Sequence, residues 1–220
     1  MEKQLNKDLK KSLNVMENKK TREFWNSLLT EESWKILQEL KKSHNFILIG
    51  GWAVYIFTKQ QKSKDIDIIV DINELQKFKP ENLGKNDNLR KYEIKKQNID
   101  VDIYLEHYSR LAIPVEDIKK FAVKVEGFQV ACPELLLVLK QAAYKDRENS
   151  AKGEKDKLDI VSLLFFSEID FNKYQEILDN YNLNYFQELK RLLKNFKDYN
   201  SLNISPIEFK KMKNKILAKM

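Results

Sequence analysis

The composition of this chain is typical of a folded, soluble protein. Its 220 residues are 42% hydrophobic and 11% aromatic, which excludes wholesale disorder, and the formal charge of +7 favours phosphate-bearing partners without identifying one. The single cysteine, Cys132, and the two histidines exclude an internal disulfide and a Cys/His metal cluster. The absence of an apolar signal segment and of any apolar run of about 18 residues predicts a cytoplasmic protein that neither is secreted nor contacts a membrane.

Hydrophobic periodicity predicts the elements of the first part of the chain. Residues 1–29 are predicted to form a charged helical lead-in, and Thr30 to cap the helix that follows. In chain order the sequence then predicts a strand at 45–50, a helix at 52–60, a strand at 65–71, a helix and loop at 73–88, strands at 90–96 and 98–106, and a hairpin at 121–131 that turns at Glu126 and Gly127. These elements predict a small mixed sheet with flanking helices.

From Pro133 onward the period changes to that of amphipathic helices, at 134–147, 154–166 and beyond. We therefore predict an α/β (α+β) fold in two parts. Residues 1–132 would form the N-terminal helices and the α/β core, with the core itself at about 45–132. Residues 133–220 would form an α-helical C-terminal bundle. The last 50 of these residues carry ten Lys or Arg against five Asp or Glu, a charge of +5.

Aspartates inside two predicted strands need an explanation, because Asp is a poor strand former. Asp65 and Asp67 share one face of their strand, as Asp100 and Asp102 do on the later strand. If the strands are neighbours, three or four acids converge, and such a cluster is costly unless a cation neutralises it. Clusters of carboxylate oxygens suit magnesium or manganese. The alternative is that these residues are the solvated faces of amphipathic strands.

Two adjacent glycines, Gly50 and Gly51, stand between a predicted strand and a predicted helix. A Gly-Gly turn at this place lets a phosphate approach the backbone, where amide donors and the positive end of the helix face it. The alternative is a tight turn that needs glycine for its backbone angles alone. The pair by itself does not separate the two interpretations.

Together these residues resemble the nucleotidyltransferase fold, the superfamily of DNA polymerase beta and the antibiotic-modifying nucleotidyltransferases. The resemblance lies in Gly50-Gly51, in Asp65-Ile66-Asp67 and in the later "VDIY", although the 13 residues between Gly51 and Asp65 make a long gap for the family. The chain is most similar to the minimal prokaryotic branch, which includes abortive-infection-type toxins that modify tRNA ends. That similarity continues through "PELLLVLK", an Arg and "KGEKDKLDI", and covers about 45–166.

The resemblance implies a role for each of these residues. Gly50 and Gly51 would hold the triphosphate of an incoming nucleotide, and Asp65 and Asp67 would bind two divalent cations, Mg²⁺ or Mn²⁺. Asp102 would complete the second metal site and serve as, or orient, the base. Asp100 is the alternative third ligand, and Asp102 is favoured because it lies deeper in the apolar run. Further candidates for nucleotide binding are Ser63, Lys64, Lys140, Lys155, Asp156 and Asp159. The charged residues among them could instead be ordinary solvated or helix-end charges.

The reaction implied is transfer of a nucleoside monophosphate from a nucleoside triphosphate to an acceptor hydroxyl, with release of pyrophosphate. We expect the acceptor to be RNA, such as a tRNA 3' end held by the basic C-terminal helices, in a toxin-like role with a cognate antitoxin. A small molecule of the antibiotic type or a protein side chain is the alternative acceptor. A non-catalytic nucleotide-binding protein or toxin–antitoxin partner is a further alternative. The choice among ATP, CTP, GTP and UTP, and the oligomeric state, stay open.

Overall fold

The computed structural model describes residues 27–79 and 83–220 of the chain. The predicted lead-in therefore lies outside the described residues except at its end. The first described residues, 27–43, form helix α1, so Thr30 lies inside a helix and the prediction that it caps one is wrong. Its hydroxyl donates to the carbonyl oxygen of Ser27, 2.9 Å away, which is the bond that a Thr within a helix makes.

A mixed sheet forms the centre of the described chain. Its strands are β1 (Ile47–Ile49), β2 (Ile66–Val70), β3 (Leu83–Asn86), β4 (Lys91–Lys96), β5 (Ile99–Leu105), β6 (Ala122–Val125) and β7 (Phe128–Ala131). They lie in the order β3-β4-β5-β2-β1-β7-β6. β2 runs parallel to β5 and β1 parallel to β7, while the other neighbours are antiparallel. The predicted mixed sheet is thus confirmed, as is the hairpin at Glu126 and Gly127, where both residues have positive φ.

One strand was not predicted. The segment 73–88 was expected to be a helix and loop, but helix α3 is only Ile72–Leu75, and β3 forms within the predicted loop. β3 is an edge strand that pairs with β4 alone, and its sequence "LGKN" contains a single apolar residue. An edge strand of this kind has no alternating pattern from which it could be recognised.

The remaining helices confirm that the chain becomes helical after Cys132. They are α2 (Gly50–Thr58) before the change, and then α4 (Pro133–Arg147), α5 (Ala151–Phe166), α6 (Phe171–Asn180), α7 (Phe186–Asn195) and α8 (Pro206–Lys219). Short 3-10 helices lie at Val115–Phe121 and Asn200–Leu202. In the part of the chain that the structure describes, no helix combines the length and the apolar character that a bilayer crossing requires.

The helices of the second half pack on the first half through α2, which contacts both α4 and α5. Trp52 of α2, Leu48 of β1, Leu136 of α4 and Leu163 of α5 are all buried in one continuous core. The change at 132 therefore separates the sheet from the helices along the sequence but does not divide the core. A boundary between two domains at that residue stays a prediction.

Candidate active site

Two aspartates face each other across neighbouring strands. β2 and β5 are parallel and in register, so that Asp67 lies opposite Asp102 and both side chains stand on the same face of the sheet. The register is fixed because Ile66 and Ile68 of β2 alternate with Asp67 and are fully buried on the other face. Asp65 lies at a bend just before β2 and lines the same cleft, whose volume is about 580 Å³.

A further carboxylate, which was not predicted from the sequence, lies beside this pair. Glu93 of β4 lies opposite Asp102, so that Asp67, Asp102 and Glu93 form a row across three neighbouring strands. Lys91, two residues before Glu93 on the same face, places its Nζ 2.6 Å from Oδ2 of Asp102 and 3.1 Å from Oε1 of Glu93. The alternation of "KYEI" carries both residues on one face and could have indicated them.

Three of the predicted site residues do not line the cleft, namely Asp100, Lys64 and Asp159. Asp100 shares the face of Asp102, as predicted, but its side chain is 59% exposed and lies 4.0 Å from Lys95. Lys64 is also exposed and does not line the cleft. The geometry therefore favours Asp102 over Asp100 as the third carboxylate of the site.

The two glycines lie against predicted site residues. Gly50, at the first position of α2, has φ +68°, and a Cβ atom on it would lie 2.0 Å from Oδ2 of Asp67. A Cβ atom on Gly51 would lie 2.6 Å from Oγ of Ser63. Both glycines are thus required by packing against predicted site residues, and Gly50 by its backbone angle as well. The amide end of α2 is thereby brought against Asp67.

Cations line the cleft together with the carboxylates. The Nζ of Lys155 donates to Oγ of Ser63 over 3.1 Å, which links the start of α5 to the segment before β2. Arg110, Arg147 and Lys152 also line the cleft, and none of the three was named as a candidate from the sequence. A cleft lined by both carboxylates and cations can accommodate a triphosphate together with a metal ion.

A largely buried ion network lies beside the cleft, where α4 meets α5. The Nζ of Lys140 lies 3.2 Å from Oδ1 of Asp156 and 2.7 Å from Oδ2 of Asp159. Asp156 also accepts from Nε of Arg147, 2.7 Å away. Asp159 is fully buried and does not line the cleft, whereas Lys140 and Asp156 do. The contacts of both aspartates are therefore with cations of the protein, and Asp156 holds Arg147 at the edge of the cleft.

The carboxylates of the cleft are not fully neutralised by these cations. The pKa of Asp67 is raised to about 6, and burial is the largest cause. The neighbouring charges of Asp102 and Asp65 add to this rise, and their effect exceeds the opposing effect of Lys140 and Lys155. Burial likewise raises the pKa of Asp102, against the opposing effect of Lys91. A divalent cation would relieve this repulsion.

The donor set fits such a cation in its chemistry. Asp65, Asp67 and Asp102 offer the carboxylate oxygens that Mg²⁺ and Mn²⁺ prefer. Within residues 27–79 and 83–220, no three His, Cys, Asp or Glu side chains already form a group close enough to hold a metal ion. The two facing aspartates differ in their contacts, because Asp102 is bound by Lys91 and Asp67 is not.

No protein-family model matches this sequence, and no curated protein matches it either. Among solved structures, the fold is similar to JHP933 from Helicobacter pylori, with 16% identity, 88% of this chain and 93% of that chain covered, and a TM-score of 0.48. It is similar to an antigenic nucleotidyltransferase-like protein from Paracoccidioides brasiliensis, with 17% identity, 76% and 92% covered, and a TM-score of 0.39. A candidate nucleotidyltransferase from H. pylori shows 17% identity, 87% and 95% covered, and a TM-score of 0.42. At such identities no activity can be transferred to this chain.

Proposed function

We propose that this protein is a metal-dependent nucleotidyltransferase, which transfers a nucleoside monophosphate from a nucleoside triphosphate to an acceptor hydroxyl. The observation that carries the proposal is the contact of the Gly50 backbone with Asp67, which itself lies opposite Asp102. This contact supports the proposal because it brings the start of α2, which would bind phosphate, against a pair of carboxylates. Solvated strand faces or a tight turn would not need such a contact.

The triphosphate would lie between the start of α2 and the start of α5. Free amides at the first turn of α2 offer hydrogen bonds to phosphate oxygens, and glycine keeps the approach open. Ser63 and Lys155, already joined by a hydrogen bond, stand beside Gly51. Arg147, held by Asp156, adds a planar donor suited to phosphate.

Asp65, Asp67 and Asp102 would hold the divalent cation or cations of the reaction. A bound cation supplies charge stabilisation for the attacking and leaving oxygens of an in-line displacement. The acceptor oxygen forms a bond to the α-phosphorus, the bond to the β-phosphate oxygen breaks, and pyrophosphate leaves with that electron pair. The raised pKa of Asp102 makes it a better acceptor for the hydroxyl proton than an ordinary aspartate.

We propose RNA as the acceptor because of the basic surface of the C-terminal helices. Residues 171–220 carry the charge of +5, and Arg191, Lys194, Lys210, Lys211 and Lys215 are all exposed. Contacts of these side chains with phosphates would give binding that is largely independent of sequence and weakens with salt. A toxin-like role and a cognate antitoxin are further parts of this proposal.

The experiment that tests the proposal incubates the purified protein with Mg²⁺ and each α-labelled nucleoside triphosphate, in turn with total RNA, total protein and a small-molecule extract. We expect label in RNA with the wild type and with Asp100→Asn, and none with Asp67→Asn. Asp100 is the matched control, because it lies on the same face but outside the cleft. Label in protein or in the small-molecule fraction would keep the reaction and replace the acceptor, and no label in any fraction would overturn the function.

A further inference from the structure

The row of carboxylates contains a cation that belongs to the protein. Asp67, Asp102 and Glu93 stand on one face of the sheet, on β2, β5 and β4. Lys91 lies beside Asp102 and Glu93, which form one half of this row. Its Nζ contacts both Asp102 and Glu93, and its side chain is only 11% exposed. Glu93 is held in turn by Nδ2 of Asn86, 2.9 Å away on β3. Lys91 is thus fixed in place from three strands.

The other half of the row has a different arrangement. Asp67 and Asp65 make no ion pair with a lysine or arginine among the described residues, and Asp67 faces the Gly50 backbone. Among the described residues, this half therefore lacks the direct ion pair that Lys91 gives to the other half, and a divalent cation from outside would fit there. A single face of the sheet thus presents one carboxylate pair with a resident cation and one without.

We propose that Lys91 takes the place of one of the two metal ions, so that the protein binds a single divalent cation, at Asp65 and Asp67. The inference rests on the proposed nucleotidyl transfer and gives its metal requirement. A Mg²⁺ ion lies about 2.0 to 2.1 Å from a carboxylate oxygen. An ion bound to Oδ2 of Asp102 would meet the ammonium group that already lies 2.6 Å from that oxygen, and the two positive charges would repel each other.

The test counts the metal ions bound by the full chain. Mn²⁺ is titrated in the presence of a non-hydrolysable analogue of each of the four nucleoside triphosphates, and free Mn²⁺ is measured by electron paramagnetic resonance. We expect one ion per chain for the wild type and two for Lys91→Met, which keeps the length of the side chain and removes its charge. Lys95→Met, on the same strand and near the exposed Asp100, is the matched control and stays at one ion.

Asp102→Asn gives a second readout that does not require the Lys91 variant to fold. If the single ion lies at Asp65 and Asp67, the Asp102 variant still binds one ion, and loss of that ion would overturn the inference. Two ions on the wild type, or one on a folded Lys91→Met, would also overturn it and leave nucleotidyl transfer standing. A wild type that binds neither Mn²⁺ nor any nucleotide analogue would overturn both.

Discussion

The carboxyl group of Asp67 titrates at an unusual pH for an aspartate. Its pKa is raised to about 6, first by burial and then by the charge of Asp102. An acid of this kind binds its proton more tightly in the folded chain than in the unfolded chain. The folded state therefore loses stability as the pH rises from about 4 to about 6, the interval between the ordinary pKa and the raised one.

Asp67→Asn should remove this loss. Without metal, we expect the difference in unfolding free energy between the variant and the wild type to change with pH. From about pH 4 to pH 7.5 this difference should shift by about 2 to 3 kcal/mol in favour of the variant. Urea unfolding in EDTA across this range measures the difference. A difference between Asp67→Asn and the wild type that stays constant across this pH range would contradict the account.

Gly50 gives a second prediction at this scale. In Gly50→Ala we expect destabilisation by about 1 to 2 kcal/mol from the positive φ, together with loss of nucleotide binding because the new Cβ displaces Asp67. Gly127→Ala is the matched control. It has φ +75° as well, but its Cβ would meet only the flexible end of Lys41.

Calorimetric titration with nucleotide and Mn²⁺, beside urea unfolding, separates the two effects. Both alanine variants should lose stability, Gly50→Ala the more because its Cβ also meets Asp67, and only Gly50→Ala should lose binding. Equal binding by both would show that Gly50 is needed for the turn alone.

Helices α4 and α5 are joined by largely buried charges. Lys140 neutralises Asp156 and Asp159 at the point where the helices meet. Because removal of one partner leaves a buried charge without compensation, we expect Lys140→Met to cost about 3 to 5 kcal/mol of unfolding free energy. Lys145→Met, on the same helix, removes a pair with Glu188 whose lysine is 61% exposed, and should cost less than about 1 kcal/mol.

Urea unfolding of both variants at neutral pH decides this prediction. A cost for Lys140→Met no larger than that for Lys145→Met would mean that the network contributes nothing to stability.

Strand periodicity predicted more of the site than helix periodicity did. Alternation in "DIDIIVD" and "NIDVDIYLE" placed Asp67 and Asp102 on polar faces, and the structure shows these faces side by side. The placement of Glu93 and Lys91 beside Asp102 depends on the register between β4 and β5, which cannot be read from the sequence of either strand alone. The contacts of Lys140 depend on how two helices cross, which is equally absent from either helix alone.

At the scale of the whole molecule, the core runs without a break from the sheet into the helices. α4 and α5 pack on α2, and the change at 132 crosses no gap between hydrophobic clusters. We therefore expect one cooperative unfolding transition. Tryptophan fluorescence reports on the first half of the chain, where Trp34 and Trp52 lie, and far-UV circular dichroism is dominated by the later helices. The two signals should have the same urea midpoint. Two separate midpoints would support independent domains at 1–132 and 133–220.

The central claim is that the cleft between α2 and α5 transfers a nucleoside monophosphate. The measurement that tests it most directly follows one nucleotide labelled at the α-phosphorus and the same nucleotide labelled at the γ-phosphorus, with Mg²⁺ and the acceptor fraction. The account predicts α-label on the acceptor and γ-label only in pyrophosphate, with both lost in Asp67→Asn and kept in Asp100→Asn. Transfer of the γ-label to the acceptor, or α-label transfer that persists in Asp67→Asn, would contradict it.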